Sequence, residues 1–203
     1  MIDEIFDKLV ILPGIVIAMA FHEFAHALAA YWMGDDTAER MGRLTLNPAS
    51  HIDPIGLICL LVGRFGWARP VPFNENNFEN RNLGVFVVSI AGVTMNILIA
   101  IVSFLLLKWT AGLLNNDVYN EVIFNIAWIN IGFAAFNLLP IPPLDGSKIL
   151  ASFLPARQRQ VFYQYERYGM LLMIALIATG ATRFFLEPLV TGIFEFISFV
   201  VGI

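Results

Sequence analysis

Residues 9–33 read LVILPGIVIAMAFHEFAHALAAYWM, an apolar run whose strongly polar members are His22, Glu23 and His26. A helix that crosses a bilayer needs about 20 mostly apolar residues, and this stretch supplies them. The rest of the chain is of the same kind. Of its 203 residues, 58% are hydrophobic and 14% charged, with a mean hydropathy of +0.73. Soluble domains run at about 45–50% apolar and about 25% charged, so the composition excludes an ordinary soluble enzyme and points to an integral membrane protein. The length suits one unit, expected as a single membrane-embedded domain over residues 1–203 with a core at about 9–155 and C-terminal helices at about 168–203.

The net charge of −4 says little about partners, and no basic cluster interleaves with aromatics, so a nucleic-acid partner is not expected. The single cysteine, Cys59, excludes an internal disulfide and a multi-cysteine metal site. The opening MIDEIFDK carries Asp3, Glu4 and Asp7 against Lys8, the opposite of a signal-peptide n-region. The first apolar run is therefore expected to stay as a helix.

Four further apolar stretches follow. Residues 84–107 are uncharged and end at Lys108; residues 122–144 lie uncharged between Glu121 and Asp145, with Asn125, Asn130 and Asn137 inside. Residues 168–182 would make a short span of about 22 Å, and residues 184–203 a last one that contains Glu187 and Glu195. Residues 55–63 are too few to cross and read as a re-entrant or buried segment. The alternating Arg43-Leu-Thr-Leu-Asn-Pro48 reads as a short β segment, either an ordinary hairpin or an edge on which an unwound substrate can pair. The expected fold is an all-α integral membrane protein, a polytopic helical bundle of about five spans with a short membrane-associated β segment and a re-entrant segment. Residues 74–82, rich in Asn and Glu, read as a solvated loop.

Positive charge sets the orientation. Arg40, Arg43, Arg64, Arg69 and Arg81 lie between the first two spans, and Lys148, Arg157, Arg159 and Arg167 follow the third; residues 108–121 carry only Lys108. Under the positive-inside rule both basic stretches are cytoplasmic and the N-terminus faces outward. His22, His26 and Asp145 then arrive at a similar depth on the cytoplasmic side.

The polar island in the first helix is His22-Glu23-Phe24-Ala25-His26. Residues four apart share a helix face, so both imidazoles can reach one metal ion. Zn²⁺ takes neutral His nitrogen and, in catalytic sites, keeps one position open; Glu23, next round the helix, is placed to take a proton from a water there. The bland reading is buried polar glue between helices, but a charged side chain mid-helix costs roughly 2.5–3.5 kcal/mol. Three polar groups in five residues, in a chain with three histidines, are hard to explain as packing. A third ligand must come from elsewhere. Asp145 follows three prolines that break the third span and precedes Gly146. It reads either as a metal ligand or as the N-cap of the next helix.

With these pieces in view, the sequence resembles the site-2 protease family of intramembrane zinc metalloproteases, in its short prokaryotic form without accessory domains. The resemblance rests on FHEFAH at 21–26, GRLTLNPASHIDPIG at 42–56, GWARPVPFN at 66–74 and NLLPIPPLDG at 137–146. It implies His22, His26 and Asp145 as ligands of one zinc ion per chain, Glu23 as catalytic base, and cleavage of a membrane-protein substrate in or near its transmembrane segment. Many members carry Gly-Pro ahead of the asparagine of the middle helix; here the sequence is Gly92-Val93-Thr94-Met95-Asn96. Asn96 is a candidate for binding the substrate backbone or the scissile carbonyl, against simple interhelical hydrogen bonding. Asn137 is a candidate second-shell or scaffolding residue. His51, the remaining histidine, is expected in a loop or second-shell role.

The expected setting is the cell membrane of a prokaryote, with a transmembrane protein as substrate and lipid as solvent; self-association is left open. Two rival functions use the same residues: a zinc transporter or sensor, and a silent homologue that binds substrates without cutting them. A transport path wants polar residues through both halves of the membrane, and residues 84–107 offer only Ser89, Thr94, Asn96 and Ser103.

Overall fold

The first helix, α1 (Ile2–Trp32), turns inward a face made of alanine: Ala18, Ala20, Ala25, Ala27, Ala29 and Ala30 are all buried. In a bilayer the drive for helix association comes from close packing, which small side chains permit. Against this face lie α4 (Arg81–Thr110) and α5 (Asp117–Asn137), and each of the three helices touches the other two. The last helix, α9 (Thr182–Val201), covers α4 and α5: Ile193, Ile197 and Val201 pack on Val93, Ala100, Phe104, Ala127 and Ile131. Large apolar side chains face outward, among them Leu98, Val102, Leu171 and Phe199. Lipid, as apolar as they are, tolerates that surface.

The computed structural model describes residues 2–63, 66–111, 113–114 and 116–203. Within them the regular secondary structure is helical. Between the long helices stand α2 (Thr37–Arg40), α3 (Pro54–Gly63), α6 (Asp145–Ser152), α7 (Ala156–Glu166) and α8 (Gly169–Thr179). Arg64, one of the basic residues used to orient the chain, lies outside the described residues.

Among the described residues three helices are long and apolar enough to cross a membrane: α1 over Leu9–Trp32, α4, and α9. Two of the five expected spans differ. The helix α5 is long enough, but Asp117, Asn120, Glu121, Asn125, Asn130 and Asn137 dilute its hydropathy. The stretch at 168–182 does not form a span, because α8 stops at Thr179 and Gly180 turns left-handed at φ 72°. Its 11 residues reach about 16 Å. Where the re-entrant segment was read, α3 forms a short helix whose first amides, Ile55 and Gly56, both donate to Asp53 Oδ1 at 2.9 Å.

The expected β segment at 43–48 is absent: among the described residues there is no strand, and β pairing is limited to an isolated bridge between Ile52 and Ala68. The alternating pattern is real, but its backbone is taken up by turns. Asn47 Oδ1 accepts from Ala49 N at 3.1 Å, and His51 Nε2 lies 2.7 Å from the Thr45 carbonyl. Pro48 then starts a one-turn 3₁₀ helix.

The exit from α1 is fastened by one carboxylate. Asp35, fully buried, accepts from Thr37 Oγ1 (2.5 Å), Thr37 N (3.2 Å), Asn77 Nδ2 (2.6 Å) and Asn74 N (2.7 Å). Burial opposes its charge, but the hydrogen bonds from Thr37, Asn74 and Asn77 outweigh it and hold the carboxyl below the usual range. A depressed acid stabilises the fold above its ordinary pKa and stops doing so as pH falls. Asp35→Ala leaves the Asn74 amide and its neighbours without an acceptor, so it should cost about 2 kcal/mol. Thermal unfolding in detergent at neutral pH should show a Tm lowered by roughly 5 °C, and the difference from wild type should shrink below about pH 4.

Candidate active site

The site is assembled from the middle of α1, the first residue of α6 and the flank of α4. His22 and His26 stand one turn apart on α1, and their Nε2 atoms lie 3.0 Å from each other. Asp145 Oδ2 is 3.1 Å from both. All three residues are buried. The other ring nitrogens are engaged: His22 Nδ1 is 2.7 Å from Asn96 Oδ1, and His26 Nδ1 is 2.7 Å from the Val88 carbonyl. Both partners are acceptors, so both histidines carry their proton on Nδ1 and present a lone pair at Nε2. Two nitrogen lone pairs and a carboxylate oxygen thus converge within about 3 Å, with no protein donor for Asp145 Oδ2 among the described residues.

That arrangement repels itself unless a cation sits among the three atoms. Two imidazole nitrogens and one carboxylate oxygen are a zinc donor set, and ligands at about 2.0–2.1 Å from a tetrahedral centre stand about 3.3 Å apart. The observed spacings are a few tenths of an ångström shorter, so the residues present fit zinc.

Several local choices make the geometry. Gly92 gives α4 its approach to the histidines: a Cβ there would lie 2.6 Å from His22 Cε1 and 2.7 Å from His26 Cε1. The end of α5 at Asn137 and the prolines that follow turn the chain back, and Asp145 opens α6. Of its two sequence readings, the N-cap is not what forms: Leu144 is the cap residue, and Asp145 points its carboxylate at the histidines. Gly146 lets α6 lie against the carbonyls of Leu138 and Leu139, where a Cβ would come within 2.3 Å and 2.5 Å.

Glu23 is buried beside the His22–His26–Asp145 cluster, and its Oε2 accepts the Val71 amide at 2.8 Å. The segment carrying Val71 is held in turn by Arg43, whose Nη2 donates to the Arg69 and Pro70 carbonyls at 2.6 Å and 3.2 Å. Two cavities open from this point. One, about 110 Å³, is polar and reaches Asp145 and Lys148; the other, about 340 Å³, is lined by Trp67, Phe133, Phe136, Met170 and Met173. His22, Glu23 and Asn137 border both.

The contacts of Asn96 are those of interhelical hydrogen bonding, one of its two expected roles, and Asn137 bonds within its own helix. Asn96 is fully buried behind His22, and its amide donates to the Ala18 carbonyl (3.1 Å) and to Asn130 Oδ1 (2.8 Å). It borders neither cavity, and its Oδ1 accepts from His22 Nδ1. Asn137 is the one on the cavity wall, with Nδ2 bonded to the Phe133 carbonyl at 3.0 Å. His51 lies in the 45–51 turn, outside the metal cluster. The sequence reading did not single out Val88, Asn130, Ser89 or Val71. A signal for the first and third existed: Val88, Ser89, Gly92 and Asn96 recur at helical spacing on one face of α4.

This chain is similar to known proteins along most of its length. A profile of peptidase family M50 matches residues 111–180. Over 185 residues the chain is 40% identical to YwhC of Bacillus subtilis (strain 168), covering 88% of this chain and 84% of that protein. Over 195 residues it is 29% identical to Rip2 of Mycolicibacterium smegmatis, covering 93% and 74%, and over 196 residues 28% identical to Rip2 of Mycobacterium tuberculosis (strain H37Rv), covering 91% and 69%. All three bear the name zinc metalloprotease. No solved structure matches. A buried two-histidine, one-carboxylate cluster with a glutamate beside it, among helices long enough to span a bilayer, defines a zinc metalloprotease of the membrane. The chain belongs to peptidase family M50, the site-2 protease family.

Two substitutions test the ligand geometry. Purified Asp145→Ala should lose its zinc by elemental analysis; full occupancy would remove Asp145 from the ligand set. Asn96→Ala frees His22 Nδ1, and outer-shell losses of this kind weaken metal binding about 10–100-fold. Competition with a chelator should show that shift without unfolding, and an unchanged affinity would sink the orienting role.

Proposed function

We propose that the protein is an intramembrane zinc metalloprotease that hydrolyses a peptide bond in or near the transmembrane segment of a membrane-protein substrate, with its active site toward the cytoplasm. The observation that carries the reading is the placement of Glu23: a buried carboxylate one residue from a ligand, bordering both cavities. In this reading α5 crosses alongside α1, α4 and α9: Asn130 bonds Asn96 inside the bundle, while Asn125 and Asn137 donate to the Glu121 and Phe133 carbonyls of their own helix. The basic residues after α1 and after Asp145 support the orientation.

His22, His26 and Asp145 would hold a zinc ion, which when bound would supply Lewis acidity for activating a water and polarising the scissile carbonyl. Glu23 does the proton work. The Val71 amide fixes Oε2, and no described residue bonds Oε1, which is free to take a proton from the attacking water. The same carboxyl then returns the proton to the leaving amine. Asn137 stands on the wall both cavities share, where its side-chain oxygen can accept from the backbone of an unwound substrate. The apolar cavity between Trp67, Phe136 and Met173 takes an apolar side chain next to the cut. A helical substrate must unwind to expose its peptide bond, so helix-weakening residues near the cut should favour cleavage.

Glu23→Gln keeps an acceptor for the Val71 amide and removes the base. In membranes carrying a single-pass substrate, wild type should produce two fragments. Glu23→Gln should retain zinc and reduce cleavage at least 10²-fold. Equal cleavage by both would remove Glu23 as the base. Zinc flux across sealed vesicles without fragments would favour a transporter.

A further inference from the structure

We propose that Ser89 and Lys148 form a carboxylate-binding subsite at the active site, selecting substrates with an acidic side chain next to the scissile bond. The inference rests on the proteolytic reading above and adds a specificity to it.

The polar cavity shares His22, Glu23, Pro70, Asn137 and Pro143 with the apolar one and then diverges toward Ser89 and Lys148. Its volume of about 110 Å³, against about 340 Å³ for its neighbour, and its polar lining suit a small polar group. Ser89 is 1% exposed, and its Oγ has no partner. That is unusual on its own helix. Thr94, Ser103 and Thr110 each bond the carbonyl four residues earlier, at 2.9, 2.8 and 2.7 Å. A buried hydroxyl left unpaired costs about 1–3 kcal/mol, and Ser89 stands on the wall of a polar cavity, where a ligand can take its proton.

Lys148 supplies the charge. It follows Asp145 by one turn of α6, is half-buried, and is the only cationic side chain among the described residues lining either cavity. Among the described residues no carboxylate pairs with it. Instead its Nζ lies over the Phe73 ring, 5.3 Å from the centroid. Such a contact fixes an ammonium without neutralising it. With a divalent cation on His22, His26 and Asp145, and with Glu23 ionised, the combined lining carries one net positive charge. An anion is then attracted into a pocket that offers it a hydroxyl and an ammonium. An ionised hydrogen bond of this kind is roughly twice as strong as a neutral one.

The test uses the full-length, zinc-loaded protein in liposomes and a set of single-pass substrates. In them each of the two residues on either side of the cut is made Glu, Gln or Lys in turn. At one position wild type should prefer Glu to Gln by on the order of tenfold in kcat/KM, mostly through KM, with Lys the poorest. Lys148→Glu should abolish or invert that order, Lys148→Arg should keep it, and Ser89→Ala should reduce it. The readout is a ratio between substrates, so a general loss of activity cancels. If Lys148→Glu does not fold, as judged by zinc content and thermal unfolding, the wild-type scan and Lys148→Arg still decide. Equal rates for Glu and Gln at every position, or a Glu preference untouched by Lys148→Glu, overturn the subsite and leave the protease standing. Wild type that cuts none of the substrates overturns the proteolytic reading, and the subsite with it.

Discussion

Two hydrogen bonds on the far sides of the histidine rings set up everything else at the centre. His22 gives its Nδ1 proton to Asn96, and His26 gives its own to the Val88 carbonyl. Once those protons are placed, both Nε2 lone pairs must face inward, where they meet the Asp145 carboxylate. The acceptors are themselves held: Asn96 is fixed by Ala18 and Asn130, and the Val88 carbonyl by the helix it belongs to. The chemistry therefore depends on the register between α1 and α4, and that register depends on Gly92, where no side chain fits.

The scaffold follows the same logic in a solvent that offers no hydrogen bonds. Polar groups inside the bundle close on one another, as in the chain from Ile126 through Asn130 and Asn96 to His22. Apolar bulk goes outward and alanine goes inward. At the opposite end of the bundle Lys108, at the end of α4, donates to the Val201 and Gly202 carbonyls at 2.6 and 3.0 Å, closing the last turn of α9 with a cation.

The grouping of His22, His26 and Asp145 was legible in the sequence for a simple reason. The two histidines lie on one helix at a spacing that fixes a common face, and Asp145 follows a proline break that ends a helix. Asn96 was visible as a polar residue in an apolar helix, but its role depends on which face of α4 meets α1, and composition does not give that. In the fold Asn96 lies behind His22, and Asn137 lines both cavities. The spans at 9–33, 84–107 and 184–203 appeared where length and hydropathy put them. The one at 168–182 did not, because Gly180 ends the helix while the hydropathy continues. The strand at 43–48 failed in a related way: alternation describes side chains, and the backbone there is claimed by Asn47 and Pro48.

The ligands also have a topological consequence. His26 and Asp145 are far apart along the chain, and the stretch between them contains α2, α3, α4 and α5. A cation shared by the two closes that stretch into a loop, in the way a crosslink does. Loop-closure entropy grows slowly with length, and a tie across about 100 residues is worth up to about 4–5 kcal/mol by the chain-entropy estimate for disulfides. An ion held there would thus be a staple as well as a reagent, and chelation would free α6 from α1 and loosen the wall that both cavities share.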